Sequence, residues 1–216
     1  MQENQYKHVK KICRSLPLCI VSKKRSEQQI LEYYNKGERI FGENHAQELL
    51  PKAEHLPKDI QWQFIGHLQR NKVRAILPYT ACIQSVDNLP LAKVIDKEAA
   101  RINKVQTILI ELHLAQEDLN KTGLTKEEID TFLPTVLTLP HIHVDGIMVM
   151  GPHTDDTKRI KEIFLEARDI FLTLKKKYPA HMHILSMGMS NDYPIAVECG
   201  STMLRIGTYL FEKKGD

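Results

Sequence analysis

Apolar positions along this chain fall into two recurring patterns. Eight short, nearly continuous runs have the length and density of buried strands: PLCIVSK, RIFGEN, WQFIGH, ACIQSVD, VQTILIELHL, VDGIMVMG, MHILSMG and TMLRIGT. Between them lie segments whose apolar residues recur at intervals of three and four, the spacing of one helix face. Ser26 heads the segment 26–36 as an N-cap, and helices are expected over 43–54, 69–77 and 88–102. The segment 125–139 opens with TKEE, a capping box with Thr125 and Glu128 three apart, and the longest helix, 155–178, is closed by Pro179.

Strands that alternate with helices imply a parallel sheet covered by helices. Eight units is the number that closes a (β/α)₈ TIM-type barrel; an open doubly wound sheet would show the same alternation with a strand more or fewer. No linker rich in Gly, Pro or Ser interrupts the pattern, so residues 1–216 are expected to form a single domain.

Polar and glycine residues gather where the apolar runs end: Ser22-Lys23, Gly42-Glu43-Asn44, Gly66-His67, Ser85-Val86-Asp87, Met150–His153, 186–192 and Arg205–Thr208. In a parallel barrel these strand ends open on one face, the face that carries the active site. Residues remote in sequence are thereby expected to converge on one mouth.

Composition narrows the choice of chemistry. Of 216 residues, 42% are hydrophobic and 26% charged, which excludes a disordered tail protein. Thirty Lys and Arg against 27 Asp and Glu leave +3, too slight to argue for nucleic acid or a membrane surface. No apolar run approaches the roughly 18 residues of a membrane-spanning helix, and the polar start has no apolar core or cleavage site of a secretory signal. Cys13, Cys19, Cys82 and Cys199 are scattered without a CxxC pair, which reads as reduced thiols in a cytoplasmic protein.

Lys23 follows the apolar run Leu18–Val21 and is expected to project into the barrel mouth. A lysine partly desolvated there has a lowered pKa and a free amine able to attack a carbonyl. The run Lys23-Lys24-Arg25 also reads as a solvated basic corner. Loops after strands seven and eight, where barrels often hold phosphate, read SMGMSND and RIGT. Ser190 and Thr208 offer hydroxyls there, while Gly188 and Gly207 let backbone N–H groups approach an anion. A reactive lysine together with a phosphate cradle fits a phosphorylated aldehyde cofactor, pyridoxal 5′-phosphate.

The motifs IVSK, FGENHAQE, WQFIGHLQRNK, QSVD, LNKTG, GIMVM and LSMGMSNDYPIAVECGSTMLRIGT closely resemble, in content and order, the pyridoxal phosphate homeostasis protein family. The resemblance runs from about Leu18 to Leu210. It implies a single (β/α)₈ barrel like the N-terminal domain of alanine racemase, with the cofactor held as a Schiff base on Lys23. Ser190, Gly207 and Thr208 would hold the phosphate, Arg205 would face the pyridine nitrogen, and Asn44 and Met148 would line the cofactor site. The resemblance further implies a part in intracellular vitamin B6 homeostasis without established turnover, with PLP-dependent apo-enzymes as prospective recipients. A weak PLP-dependent amino-acid racemase is the alternative, and a Schiff-base aldolase without cofactor a third reading.

Arg205 bears on that choice. A carboxylate at the ring nitrogen would keep it protonated and make the ring a strong electron sink; an arginine cannot accept that proton. Racemisation also needs acid–base groups on both faces of the substrate Cα. In alanine racemase the second is a tyrosine from a further domain, for which a chain ending at Asp216 leaves no room. A carrier is therefore expected, and a monomer, since the racemase dimer forms through that further domain. The chain departs from the family at Gln63, where histidine is usual, at Lys24-Arg25-Ser26, and in its FEKKGD end, where an eighth helix is missing or supplied by the N-terminal segment.

Other chemistry has weaker support. The pairs His141/His143 and His181/His183 could each share a strand face toward a metal, but they precede their apolar runs and lack carboxylate partners at ligand spacing, so no metal is expected. His67 is a possible proton-transfer group and His45 a surface or cap residue. Lys175–Lys177 end a long helix, where cations complement the dipole. Trp62 and Phe64 read as packing residues.

Overall fold

A computed structural model describes residues 2–115 and 122–212. Residues 119–121 of the LNKTG motif and 213–216 of the FEKKGD end lie outside the described residues. Each of the eight apolar runs forms a strand: Leu18–Val21 (β1), Ile40–Glu43 (β2), Gln61–Phe64 (β3), Thr80–Val86 (β4), Gln106–Leu112 (β5), Ile142–Val149 (β6), Ile184–Ser186 (β7) and Leu204–Ile206 (β8). All pair in parallel, in the order β7-β6-β5-β4-β3-β2-β1-β8. The neighbour of β1 is β8, so the sheet curls round on itself and the doubly wound alternative is excluded. Closure between β7 and β8 runs through β8 and the residues before it: Thr202 N–H donates to Leu185 O (2.9 Å), Met187 N–H to Met203 O (3.2 Å), and Arg205 N–H to Gly188 O (3.0 Å). The result is a nearly closed (β/α)₈ barrel.

The helices are Glu3–Cys13 (α1), Glu27–Tyr34 (α2), Ala46–His55 (α3), Val73–Ile76 (α4), Leu89–Arg101 (α5), Ile129–Val136 (α6), Thr157–Lys177 (α7), Tyr193–Glu198 (α8) and Thr208–Phe211 (α9). Their starts are set by side chains that satisfy free N–H groups. Ser26 and Gln29 form a reciprocal capping box, Asn88 accepts the Leu91 N–H (2.8 Å), and Asp156 accepts from Lys158 and Arg159. On α7, Ile160, Ile163, Phe164, Ala167, Ile170, Phe171 and Leu174 are buried against the barrel, the three–four stripe of an amphipathic helix.

Several boundaries differ from the sequence reading. Residues 43–45 belong to β2 and its exit turn, so α3 begins at Ala46. The helix expected over 69–77 splits into a 3₁₀ turn, Arg70–Lys72, and the single turn of α4. Thr125 and Glu128 do exchange their capping bonds (2.8 and 3.3 Å), but in a turn that precedes α6. The polar start folds as α1, whose Val9 and Cys13 are buried and which packs on α8 and α9. The N-terminal segment thus supplies cover beside the short β8–α9 unit.

Candidate functional site at the barrel mouth

The loops leaving β1, β6, β7 and β8 enclose a cavity of about 1110 Å³ lined by Lys23, Ser190, Arg205, Gly207 and Thr208, together with Lys24, Arg25, the turn 151–155 and Glu212. Five of the seven residues proposed for the cofactor therefore share one cavity, although nearly two hundred residues of chain separate the first from the last. Asn44 and Met148 are not in that lining. Asn44 follows β2 at the same end of the barrel, with a buried Oδ1 that has no partner. Met148 is fully buried in the barrel interior with Cys82 and Leu109.

Lys23 is exposed, which corrects the expectation of a partly desolvated side chain. The strand ends at Val21; Ser22 is buried and bonds to Glu43, while Val21 and Lys23 line the cavity. After Lys23 the chain bends at Lys24, which adopts the left-handed region at φ 58°.

Beside β1, at the end of β8, the backbone comes very close to its neighbours. A Cβ on Gly207 would stand 3.0 Å from both Cβ and O of Val21, so glycine lets the end of β8 lie against β1 without crowding it. Gly188, at φ 97°, turns the chain after β7, and a Cβ there would meet Ala196 at 2.5 Å. The Ser190 hydroxyl accepts the Tyr209 N–H (3.1 Å), which joins the two phosphate-candidate loops and leaves the hydroxyl proton for an anion.

Arg205 forms the floor. Its Nη1 donates to Ser186 O (2.9 Å) and Ser186 Oγ (2.7 Å), and its Nη2 to Val149 O (3.0 Å). Ser186 Oγ in turn donates to Gln84 Oε1 (2.7 Å), and Gln84 Nε2 donates to Gln63 Oε1 (2.9 Å). Because a guanidinium can only donate, the direction of this buried relay is set from Arg205 outward. Gln63, the departure from the family's histidine, supplies the terminal acceptor. Burial pulls Arg205 below the usual guanidinium value.

A second polar cluster went unmarked in the sequence. Lys52 of α3, buried, donates to Ser22 O (2.8 Å), Glu43 Oε1 (2.7 Å) and Glu48 Oε2 (3.2 Å). Ser22 Oγ also donates to Glu43 Oε1 (2.7 Å). Burial raises the Glu43 carboxyl above its ordinary value in spite of these donors. A signal existed: Lys52 falls in the buried stripe Ala46, Leu49, Ala53 of α3, where a lysine is out of place. Inside the barrel, Glu111 is pushed up to about 7, first by burial and then by the Asp87 carboxylate.

The histidines lie elsewhere. His67 is exposed and outside the cavity lining, and His45 precedes α3 without a capping bond. Both His-x-His pairs sit at the far end of the barrel. The structure does supply the carboxylates that the sequence reading found lacking: His183 Nδ1 lies 2.7 Å from Asp145 Oδ1, and the His141 N–H donates to Asp96 (2.8 Å). Among the described residues, no three His, Cys, Asp or Glu side chains are grouped to hold a metal ion.

A parallel barrel with lysine, hydroxyl and glycine positions at this mouth defines the class of the alanine racemase N-terminal domain, and the family model of that description matches residues 3–214. A pyridoxal phosphate homeostasis protein of Aquifex aeolicus (strain VF5) is 37% identical over 194 residues, spanning 89% of this chain and 85% of the relative. Among solved structures, PipY of Synechococcus elongatus PCC7942 without PLP is similar with TM-score 0.90 and 32% identity, over 98% of this chain and 100% of that one. PipY with PLP bound is similar with TM-score 0.86 and 31% identity, over 96% and 100%. The chain belongs to the pyridoxal phosphate homeostasis protein family. Among the described residues, no helix is long and apolar enough to cross a membrane.

Proposed function

We propose that residues 1–216 work as one domain that binds pyridoxal 5′-phosphate, holds it through a Schiff base on Lys23, and stores or delivers it in the cytoplasm as part of vitamin B6 homeostasis. The carrying observation is the convergence of Lys23, Ser190, Arg205, Gly207 and Thr208 on one cavity. The similarity to PipY with PLP bound supports the same ligand.

The residues present suit this group. Gly207, which bears no side chain, and the Ser190 hydroxyl, bonded to the nearby Tyr209 N–H, suit a phosphate; Arg205, fixed by three bonds, presents a donor and no acceptor. The cofactor supplies an aldehyde that a primary amine captures reversibly. Lys23 Nζ would hold the group, whose aldehyde would supply a linkage that forms with loss of one water and reverses with its return. Arg205 cannot take or hold a proton for the ring nitrogen, so the site favours retention over carbanion chemistry. The racemase alternative is secondary because His67, the candidate proton-transfer group, lies outside the cavity lining. A monomer that hands cofactor to PLP-dependent apo-enzymes completes the reading.

Cofactor binding and release, measured alongside enantiomer interconversion for a panel of amino acids, tests it. The carrier reading expects reversible binding, lost as a covalent band in Lys23→Ala, and no turnover. Sustained interconversion abolished by Lys23→Ala would overturn it in favour of the racemase.

A further inference from the structure

We infer that Glu48 and Lys52, two residues of α3 outside the cavity, are positioning residues that hold the peptide groups on either side of Lys23 and so fix the point from which its amine reaches the aldehyde. This rests on the Schiff-base reading above. The two peptide units that flank the Cα of residue 23 are each gripped by one of these side chains. The Ser22 carbonyl, on the N-terminal side, accepts Lys52 Nζ at 2.8 Å; the Lys24 N–H, on the C-terminal side, donates to Glu48 Oε2 at 2.5 Å.

The grip is directional as well as short. An ammonium has three protons, and Lys52 finds three acceptors: Ser22 O, Glu43 Oε1 and Glu48 Oε2. None of its donors is left to wander. Lys52 and Glu43 are buried, so these charge-assisted bonds act away from bulk solvent. Lys24 is held at φ 58°, a region that lysine rarely adopts, and its N–H is the group that Glu48 binds. Lys23 itself is exposed and makes no bond that would orient it. Its long side chain gains direction only from the backbone beneath it, and that backbone is anchored to α3.

A merely structural role predicts a loss of stability and nothing specific to amine capture. The two are separated with two probes on the purified full chain. Pyridoxal 5′-phosphate reports the rate at which the Schiff-base absorption band grows; pyridoxine 5′-phosphate, an alcohol in place of the aldehyde, reports the affinity of the pocket without amine capture. Glu48 is partly exposed, so Glu48→Ala is expected to fold. It should slow band formation by about tenfold while pyridoxine 5′-phosphate affinity stays within about twofold, because small misplacement of a reacting group is costly while ground-state contacts persist. Glu48→Gln keeps an acceptor for the Lys24 N–H and should restore the rate. Lys52→Met, made together with Glu43→Gln so that no carboxylate is stranded, should repeat the slow phase. Band formation in Glu48→Ala at the wild-type rate, or an equal loss of pyridoxine 5′-phosphate affinity, would overturn the positioning role. Failure of the wild-type protein to form the band would instead remove the Schiff-base reading itself.

Discussion

Replacing Glu111 with glutamine should alter the pH dependence of folding in one direction. The carboxyl lies near the end of β5, 2% exposed, with the Thr122 hydroxyl donating at 3.2 Å. Burial, and then the like charge of Asp87, lift its pKa from 4.5 to about 7. A carboxyl whose folded value is raised binds its proton more tightly in the native state. The stability this brings is present in full below pH 4.5 and is lost as the pH climbs through about 7. At about 1.4 kcal/mol per pH unit, that interval corresponds to about 3 kcal/mol. Glutamine keeps the shape and an acceptor for Thr122 but never ionises. Urea unfolding of both proteins at about pH 5 and about pH 8 gives the test, since midpoint and slope yield the free energy at each pH. Glu111→Gln should gain on the wild type by about 2–3 kcal/mol between the two conditions. An offset that is the same at both, or a wild type that gains toward alkaline pH, would refute the placement of a buried carboxyl beside Asp87.

Three further outcomes follow from the geometry. Gly146→Ala should cost about 3 kcal/mol or more in urea unfolding, because its Cβ would stand 1.9 Å from the Ile184 carbonyl, backbone that cannot yield without unpairing β6 from β7. Arg205→Met should cost about 2–3 kcal/mol by the same assay, since the buried Ser186 and Val149 carbonyls lose their charged donor. All four cysteines are buried and burial pushes Cys19 up to about 12, so a thiol reagent should label the native protein slowly and the denatured protein at once.

Legibility in the sequence followed burial. The eight strands could be read because each is short, apolar and followed by an amphipathic segment, and a parallel strand buried on both faces has no polar alternation to obscure it. Lys23, Ser190 and Gly207 could be placed because strand ends in a barrel converge whatever the loop details. What escaped were features that depend on tertiary packing. Lys52 reads as one more helix lysine until α3 is docked and its face turns toward Ser22 and Glu43. The relay from Arg205 to Gln63 joins β8, β7, β4 and β3 across the barrel interior, and no spacing along the chain reports it. The left-handed turn at Lys24 is a conformation that a lysine in the sequence does not advertise. Asp145 and the His183 ring meet only because β6 and β7 pair in that register.

The central claim is that Lys23 carries the cofactor. Its most direct test is the absorption spectrum of the purified protein mixed with pyridoxal 5′-phosphate, followed by borohydride reduction and peptide mass mapping. The account predicts a yellow band that reduction converts to a stable pyridoxyl adduct on Lys23. A protein that shows no such band, or an adduct that maps to Lys24 or another lysine while Lys23 stays unmodified, would contradict it.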